Sequence, residues 1–365
     1  MKVGMIFGTR PEAVKMVIPY RELKSRGVDV RAIATAQHRQ MLDQVLELFE
    51  VQPFVDLNVM KPRQTLSELT ANLCKGLDEV LSREHFDWLL VQGDTTSTFV
   101  GSLVGFYHKI PVGHVEAGLR SFDPIDPFPE ELNRRLTTVV ARAHFAPTPR
   151  ARQNLLEENV DPATIHVTGN TVIDALQWVI RNRQDDLGKR LSRFDFHDKP
   201  YVLVTMHRRE NWGQPMRQAM QAIQQFLEQN PTLHVVFPVH LNPTVREIVF
   251  PVLQSHPRAH LLDPAEYIDF VALMQNCLFL LTDSGGLQEE GPALGKPVLV
   301  LRKTTERPEA LEAGTAILVG TDPDTIVHNA NRLVQEPYFY DSMARAVNPF
   351  GDGTASEKIA GILLE

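Results

Sequence analysis

The stretch from Leu278 to Leu301 constrains the fold of this chain most strongly, because two short apolar runs flank a glycine turn and a helical pattern. The first run stops at TDSGG, residues 282–286, and Leu287 and Leu294 then recur at helical spacing before the second run, residues 298–301. This order predicts a strand, a turn, a helix and a second strand. Such a unit is typical of α/β proteins with a parallel sheet.

The same alternation of apolar runs and helical patterns continues along the whole chain. Predicted strands occupy residues 3–7, 28–34, 88–91, 112–115, 145–148, 165–169, 201–205, 233–239, 260–262, 278–281 and 298–301. A chain of 365 residues exceeds the size at which one core usually stops growing, so two domains are expected. We predict an α/β fold with two doubly wound, Rossmann-like domains, at residues 1–169 and 170–352, with the last helix, 353–365, returning to the first.

The composition excludes several classes of protein. A formal net charge of −8 without a basic segment argues against nucleic acid as a partner. Cys74 and Cys277 lie in separate apolar segments, as expected for reduced thiols in a cytoplasmic protein, and neither has metal-ligand spacing. The chain has no P-loop, no dinucleotide-binding glycine motif after its first strand and no run of about eighteen apolar residues. We therefore expect a cytoplasmic protein without a membrane span, a metal or another cofactor.

The glycine turn itself is a candidate anion site. Gly285 and Gly286 at the start of a helix allow close approach of a ligand, and the free N–H groups of the first helical turn favour a phosphate. Glu290 follows within the helix and has the chemistry to accept hydrogen bonds from the paired hydroxyls of a ribose, and Arg307 lies in a charged loop after the next strand. The alternative interpretation is that Ser284 only caps the helix and the glycines only turn the chain.

Polar side chains follow several other predicted strands, and two facing sheets would bring them to a cleft between the domains. They are Arg10, Lys15, Asp94, Glu116 and Glu130 in the first domain and His207, Arg208, Ser284, Glu290 and Arg307 in the second. The cations suit a diphosphate, and the carboxylates suit proton transfer at a sugar carbon or stabilisation of an oxocarbenium ion. Each acid alone could instead be a helix cap or an ion-pair partner.

Eight segments stand out together, in this order: FGTRPE (7–12), AQHRQML (36–42), QGDT (92–95), HVEAGLRS (114–121), PEELNRR (129–135), HRREN (207–211), DSGGLQEE (283–290) and TTERPEAL (304–311). The set resembles the non-hydrolysing UDP-N-acetylglucosamine 2-epimerases of bacteria. The resemblance implies the two-domain fold of the GT-B glycosyltransferases. By the same resemblance the reaction site would be lined by Arg10, Lys15, Asp94, Glu116, Glu130 and His207. Uridine, ribose and diphosphate would be held by Phe270, Ser284, Gly285, Gly286, Glu290 and Arg307.

The chemistry that this resemblance implies is inversion at C2 of a UDP-sugar without a redox cofactor. UDP would leave first, a carboxylate would take the C2 proton to give a 2-acetamidoglucal, and UDP would then add back with the proton on the opposite face. Other interpretations remain open at this point. A hydrolysing relative would release N-acetylmannosamine and UDP, a GT-B glycosyltransferase would transfer the sugar to an acceptor, and a nucleotide-sugar sensor would only bind it.

A regulatory site is also implied, because bacterial relatives bind a second UDP-N-acetylglucosamine as an activator. The residues assigned to this site are Gln37, His38, Gln40, Arg63, Arg208 and His240. The same resemblance leads us to expect a homodimer.

Overall fold

A computed structural model of the protein describes residues 1–35, 39–61 and 63–365, and the side chains of residues 39–41 lie outside the described part. The chain divides into two compact units, of which the first contains Met1–Trp178 and Phe350–Glu365 and the second contains Val179–Pro349. The division falls inside the helix Thr171–Asn182, whereas the boundary predicted from the sequence lies just before the start of that helix.

The described part of the first unit contains seven parallel strands in the order β3-β2-β1-β4-β5-β6-β7. They are β1 Lys2–Phe7, β2 Asp29–Ala34, β3 Val55–Asp56, β4 Trp88–Gln92, β5 Val112–Val115, β6 Ala143–Ala146 and β7 Ile165–Val167. The helices of this unit are α1 Arg10–Ser25, α2 Arg39–Leu48, α3 Leu66–Arg83, α4 Thr96–Tyr107, α5 Glu130–Val140, α6 Pro149–Glu157, α7 Thr171–Asn182 and the last helix, α16 Ala355–Leu364.

The second unit has a parallel sheet in the order β10-β9-β8-β11-β12-β13. Its strands are β8 Tyr201–Thr205, β9 His234–Pro238, β10 Ala259–Leu262, β11 Leu280–Thr282, β12 Val298–Val300 and β13 Ala316–Leu318. Its helices are α8 Gln184–Leu191, α9 Gln214–Gln229, α10 Pro243–Leu253, α11 Tyr267–Asn276, α12 Leu287–Ala293, α13 Pro308–Glu312, α14 Pro323–Gln335 and α15 Pro337–Ala344.

Two parallel sheets confirm the predicted α/β class. The strands are nearly all apolar because helices cover both faces of such a sheet, and β5 and β8 have the bounds that the sequence predicts. The strand predicted at residues 145–148 ends earlier, at Ala146, because Thr148 instead caps α6 by accepting the backbone N–H of Ala151 at 3.1 Å. The short strands β3 and β13 and the helix α8, which lies in a polar stretch, were not predicted.

The strand order positions the candidate site. In each sheet the order of strands reverses once, between β1 and β4 in the first unit and between β8 and β11 in the second. Open α/β sheets bind ligands beyond the carboxyl ends of the strands at this switch point. The loops that leave β1, β4, β8 and β11 carry four of the eight segments singled out in the sequence, namely FGTRPE, QGDT, HRREN and DSGGLQEE.

The last helix belongs to the first unit through a capping contact. Asp174 on α7 is buried, and its carboxylate accepts the backbone N–H groups of Ala355 at 3.3 Å and Ser356 at 2.6 Å at the start of α16. Burial raises the pKa of Asp174, whereas these hydrogen bonds lower it. A carboxylate at this position also interacts favourably with the helix dipole of α16.

Candidate active site

At the switch point of the first sheet, one buried carboxylate ties two loops together. Glu12 is 2% exposed, and it accepts the backbone N–H of Thr9 at 2.7 Å and the hydroxyl of Thr95 at 2.7 Å. Thr9 caps α1 and Thr95 caps α4, so Glu12 joins the starts of both helices. Because Arg10 and Asp94 stand next to these caps in the chain, Glu12 holds the loops that present them.

Glu116 lies at the end of β5 with a left-handed backbone, at φ 65°. Its side chain is almost fully buried and accepts hydrogen bonds from Lys15 Nζ at 2.5 Å, Asn170 Nδ2 at 2.9 Å and Gln92 Nε2. A non-glycine residue in this conformation is strained, and such strain persists where the surroundings fix the side chain. Lys15 and Glu116 therefore meet, although the sequence did not predict this contact or the contributions of Gln92 and Asn170.

Asp94 is held by helix α5. Arg134 donates from Nη2 to the Asp94 carboxylate at 2.5 Å, and Asn133 donates from Nδ2 to the Asp94 carbonyl oxygen at 3.0 Å. Burial raises the pKa of Asp94, the charge of Arg134 opposes that rise, and the negative charge of Glu116 adds to it. A carboxylate with a raised pKa in such a position is suited to exchanging a proton near neutral pH.

Helix α5 also carries Glu130, its first residue, half-buried and one turn before Arg134. The neighbouring Glu131 is fully buried and accepts the backbone N–H of Ser121 at 3.0 Å. Glu131 also lies 3.4 Å from the guanidinium groups of both Arg134 and Arg135. The PEELNRR segment thus places one candidate acid at the start of α5 and uses the second acid to hold the helix in place.

Two polar residues of the HVEAGLRS segment have structural roles instead. The Arg120 side chain is fully buried and donates from Nε and Nη2 to the two carboxylate oxygens of Glu158, at 2.8 and 2.7 Å. His114 donates from Nε2 to the carbonyl oxygen of Gly93 at 2.7 Å, and burial lowers its pKa to about 3. His114 is therefore neutral at physiological pH and supports the loop that precedes Asp94.

At the switch point of the second sheet, Asp283 and Asn211 together join three loops. Its fully buried carboxylate accepts the backbone N–H groups of His207 at 3.0 Å and Arg208 at 2.8 Å, and the Nδ2 of Asn211 at 3.0 Å. Asn211 Nδ2 also donates to the carbonyl oxygen of Leu301 at 3.0 Å. The loops after β8, β11 and β12 are consequently hydrogen-bonded to one another. Most of these hydrogen bonds are accepted by the Asp283 carboxylate.

The glycine turn after β11 has an open helix start. The N-cap position of α12 is Gly286, and no side chain caps it by a hydrogen bond. The Ser284 side chain therefore does not cap this helix, and the Ser284 backbone N–H donates to Thr282 Oγ1 at 2.9 Å. A Cβ on Gly285 would lie 3.7 Å from Arg208 Nη2. The Arg208 guanidinium thus adjoins the turn.

The two acids of α12 have different surroundings. Glu289 is 1% exposed and forms an ion pair with Arg307 Nε, whereas Glu290 is half-buried. Thr305 donates to Gln288 Oε1 at 2.5 Å and accepts the backbone N–H of Arg307 at 3.0 Å. Glu289 therefore orients Arg307, which leaves Glu290 as the acid of this helix with the exposure needed to contact a ligand.

His207 is half-buried in the same region. Its ring stacks on that of His240, with centroids 5.8 Å apart, and its Nδ1 lies 3.5 Å from the Asp283 carboxylate. Burial lowers the pKa of His207, the charge of Asp283 opposes this, and the charge of Arg208 lowers it further. Phe270 lies on α11 and is half-buried.

The regulatory residues are only partly within the described chain. Gln37 and His38 lie outside the described residues, as does the side chain of Gln40. Arg63 is exposed in the first unit with φ 60°, His240 is exposed in the second, and Arg208 lies beside the glycine turn. The assignment of these residues to a regulatory site stays a prediction.

Two features are absent from the described residues. No group of three or more His, Cys, Asp or Glu side chains there is arranged to hold a metal ion. No described helix is long and apolar enough to cross a membrane.

Comparison with known proteins gives consistent results. The family model for UDP-N-acetylglucosamine 2-epimerase matches residues 21–364. The UDP-N-acetylglucosamine 2-epimerase of Bacillus subtilis (strain 168) is 50% identical over 370 residues, which cover 100% of this chain and 95% of the relative.

Solved structures show the same similarity. The UDP-GlcNAc 2-epimerase from Neisseria meningitidis bound to UDP-GlcNAc has a TM-score of 0.91 and 46% identity, with both chains covered completely. The structure of the enzyme from Methanocaldococcus jannaschii in complex with UDP-GlcNAc and UDP has a TM-score of 0.85 and 33% identity, covering 100% of this chain and 99% of that one.

Proposed function

The chain belongs to the UDP-N-acetylglucosamine 2-epimerase family, and we propose that it interconverts UDP-N-acetylglucosamine and UDP-N-acetylmannosamine without net hydrolysis. The observation that carries this proposal is the pair of carboxylates at the ends of β4 and β5. Asp94 is held by Arg134, and Glu116 is held by Lys15. The family comparison supplies the substrate, and these two acids supply groups that can exchange a proton with it.

The physical difficulty of the reaction is that a C2–H bond beside an amide nitrogen is not acidic. Breaking the anomeric C1–O bond first makes it so, because the developing oxocarbenium ion withdraws electrons from C2. A carboxylate among Asp94, Glu116 and Glu130 then takes the C2 proton, and the C–H electron pair forms the C1–C2 double bond of a 2-acetamidoglucal. UDP adds back to C1 while a proton is delivered to the opposite face of C2, which restores all atoms and inverts C2.

The leaving group requires positive charge and hydrogen-bond donors at the diphosphate. In our proposal Arg10, Lys15 and His207 stabilise UDP as it departs, together with the free N–H groups after Ser284. Gly285 and Gly286 admit the diphosphate, Arg307 pairs with it, Glu290 accepts the ribose hydroxyls and Phe270 contacts the uridine. The ion pair between Glu289 and Arg307 supports this assignment, since it fixes the guanidinium before the ligand arrives.

The decisive experiment follows the C2 hydrogen. Purified protein is incubated with UDP-N-acetylglucosamine alone in deuterated water, and the products are examined by NMR. Elimination predicts deuterium at C2 of UDP-N-acetylmannosamine, and a small amount of 2-acetamidoglucal with free UDP at long times, because a non-covalently held intermediate escapes when the site opens. Full retention of hydrogen at C2 would exclude the mechanism, and free N-acetylmannosamine as the main product would show a hydrolysing enzyme.

We further infer that the protein binds a second UDP-N-acetylglucosamine as an activator and works as a cytoplasmic homodimer. The described residues assigned to the activator site are Arg63, Arg208 and His240, and the assignment rests on the family resemblance. A ligand that binds one conformation preferentially shifts the population towards it, so the activator would raise the fraction of competent enzyme.

A further inference from the structure

A buried row of alternating charges connects helix α5 to Asp94. The Arg134 side chain is 12% exposed, and its Nη2 contacts the Asp94 carboxylate at 2.5 Å while its Nη1 lies 3.4 Å from Glu131. Glu131 is fully buried and is fixed by the backbone N–H of Ser121 at 3.0 Å. Arg134 therefore lies between two acids, Glu131, which holds the guanidinium in place, and Asp94, which accepts its hydrogen bond.

The charges around Asp94 come from several elements. Arg134 on α5 and Lys15 on α1 favour its ionised form, whereas Glu116 at the end of β5 disfavours it. The contact with Arg134 is a direct hydrogen bond, whereas Lys15 makes its hydrogen bond to Glu116. Of these two cations, Arg134 is thus the one that donates a hydrogen bond directly to the Asp94 carboxylate.

We propose that Arg134 is a positioning residue that keeps the Asp94 carboxylate ionised and correctly oriented, so that helix α5 controls how readily Asp94 takes up a proton. This inference rests on the proposed function, because it assigns Asp94 to proton exchange at C2. Arg134 itself does not exchange the proton. Asn133, the residue before Arg134 on α5, donates a hydrogen bond to the Asp94 carbonyl oxygen at 3.0 Å. Helix α5 thus also fixes the backbone of the loop that carries Asp94.

The effect on pH dependence has a definite sign. One acid must be ionised to take the C2 proton and another protonated to return one, so we expect the rate to have a bell-shaped pH profile. Burial already raises the pKa of Asp94 and Arg134 lowers it. Removing Arg134 leaves burial and the charge of Glu116 opposed only by the charge of Lys15, so Asp94 holds its proton to higher pH. In the direction of reaction in which Asp94 takes the C2 proton, the acidic limb of the profile therefore moves to higher pH.

Arg135 provides a matched control on the same helix. It lies 3.4 Å from the same Glu131 and 3.5 Å from Glu158, is 38% exposed, and forms no ion pair with Asp94 among the described residues. Arg134→Gln, Arg134→Lys and Arg135→Gln are compared with the unmodified protein by kcat/KM against pH and by thermal unfolding. Lysine retains the charge but not the planar guanidinium, so Arg134→Lys should restore part of the activity.

We expect Arg134→Gln to lower kcat/KM at neutral pH at least about tenfold, with much of the loss recovered at alkaline pH, since a group in the wrong protonation state cannot act as a base. Arg135→Gln should leave the profile in place. The protonation of Asp94 can be followed directly by the 13Cγ resonance of its carboxylate, which is assigned by its loss in Asp94→Asn. This resonance should titrate at higher pH in Arg134→Gln than in the unmodified protein.

An unchanged profile and an unchanged Asp94 titration in folded Arg134→Gln would overturn the inference. So would an equal shift in Arg135→Gln, because the effect would then come from the general charge of α5. If the unmodified protein forms no UDP-N-acetylmannosamine, the proposed function fails instead, and the Asp94 titration still tests the interaction with Arg134.

Discussion

Asp283 accepts the backbone N–H of Arg208 at 2.8 Å, and this contact ties the loop after β8 to the loop after β11. Asp283 is fully buried between these loops, so a residue of the DSGG segment determines where the HRREN segment lies. Asp283 is therefore a structural centre of the nucleotide-binding half of the proposed site, although it was not among the predicted ligand-binding residues.

Asp283→Asn should lower the free energy of unfolding by about 1–3 kcal/mol, because one carboxylate oxygen becomes an amide that faces backbone N–H donors. Urea unfolding measures this change. Asp29→Asn is a suitable control, since Asp29 is 48% exposed and pairs with Arg31 at the surface, where ion pairs contribute little. Equal stability of the two variants would show that the Asp283 contacts are not important.

Asp94→Asn, Glu116→Gln and Glu130→Gln should each lower kcat by at least about a hundredfold, as expected for groups that exchange protons with the substrate. Their affinity for UDP should stay nearly intact, because the uridine and ribose contacts are assigned to the second unit and none of the three acids is assigned to the diphosphate. Initial rates by NMR and UDP titration by calorimetry separate the two effects. Asp78→Asn, an exposed acid that pairs with His108, should change neither quantity. Loss of UDP affinity with unchanged kcat would make the three acids binding residues.

Arg307→Ala and Glu290→Ala should act mainly on nucleotide binding. A charge-assisted hydrogen bond to the diphosphate or ribose, removed from a desolvated site, costs about 1.5–3 kcal/mol of UDP binding free energy. Arg345→Ala, which removes an arginine that is 81% exposed, serves as the control. UDP affinity that stays the same in both test variants would place the nucleotide elsewhere.

UDP-N-acetylmannosamine supplied alone should turn over slowly until a trace of UDP-N-acetylglucosamine is added, because the activator favours the competent conformation. Arg63→Ala and His240→Ala should weaken activator binding, so that the same stimulation requires a higher concentration of UDP-N-acetylglucosamine. Arg83→Ala, at an arginine that is 74% exposed on α3, should leave the required concentration unchanged. Equal initial rates with and without the trace ligand would rule out the activator.

The sequence by itself determined the order of strands and helices and the chemical types at the strand ends. Apolar runs that stop at GTRPE, QGDT and DSGG are local signals, since a buried strand, a glycine turn and a helix cap are each encoded within a few neighbouring residues. The predicted bounds of β5 and β8 are confirmed for that reason. The segment 184–191 carries no comparable signal, because its polar residues cover a surface helix.

Only the tertiary structure decided which polar residues meet. Lys15 reaches Glu116 across 101 positions of sequence, and Arg134 reaches Asp94 across 40. The order of strands in each sheet sets these contacts, and no local pattern records that order. The same reason explains why Glu289 and Glu290, adjacent in the chain, have different surroundings, since helical geometry turns one towards Arg307 and the buried interior and leaves the other partly exposed.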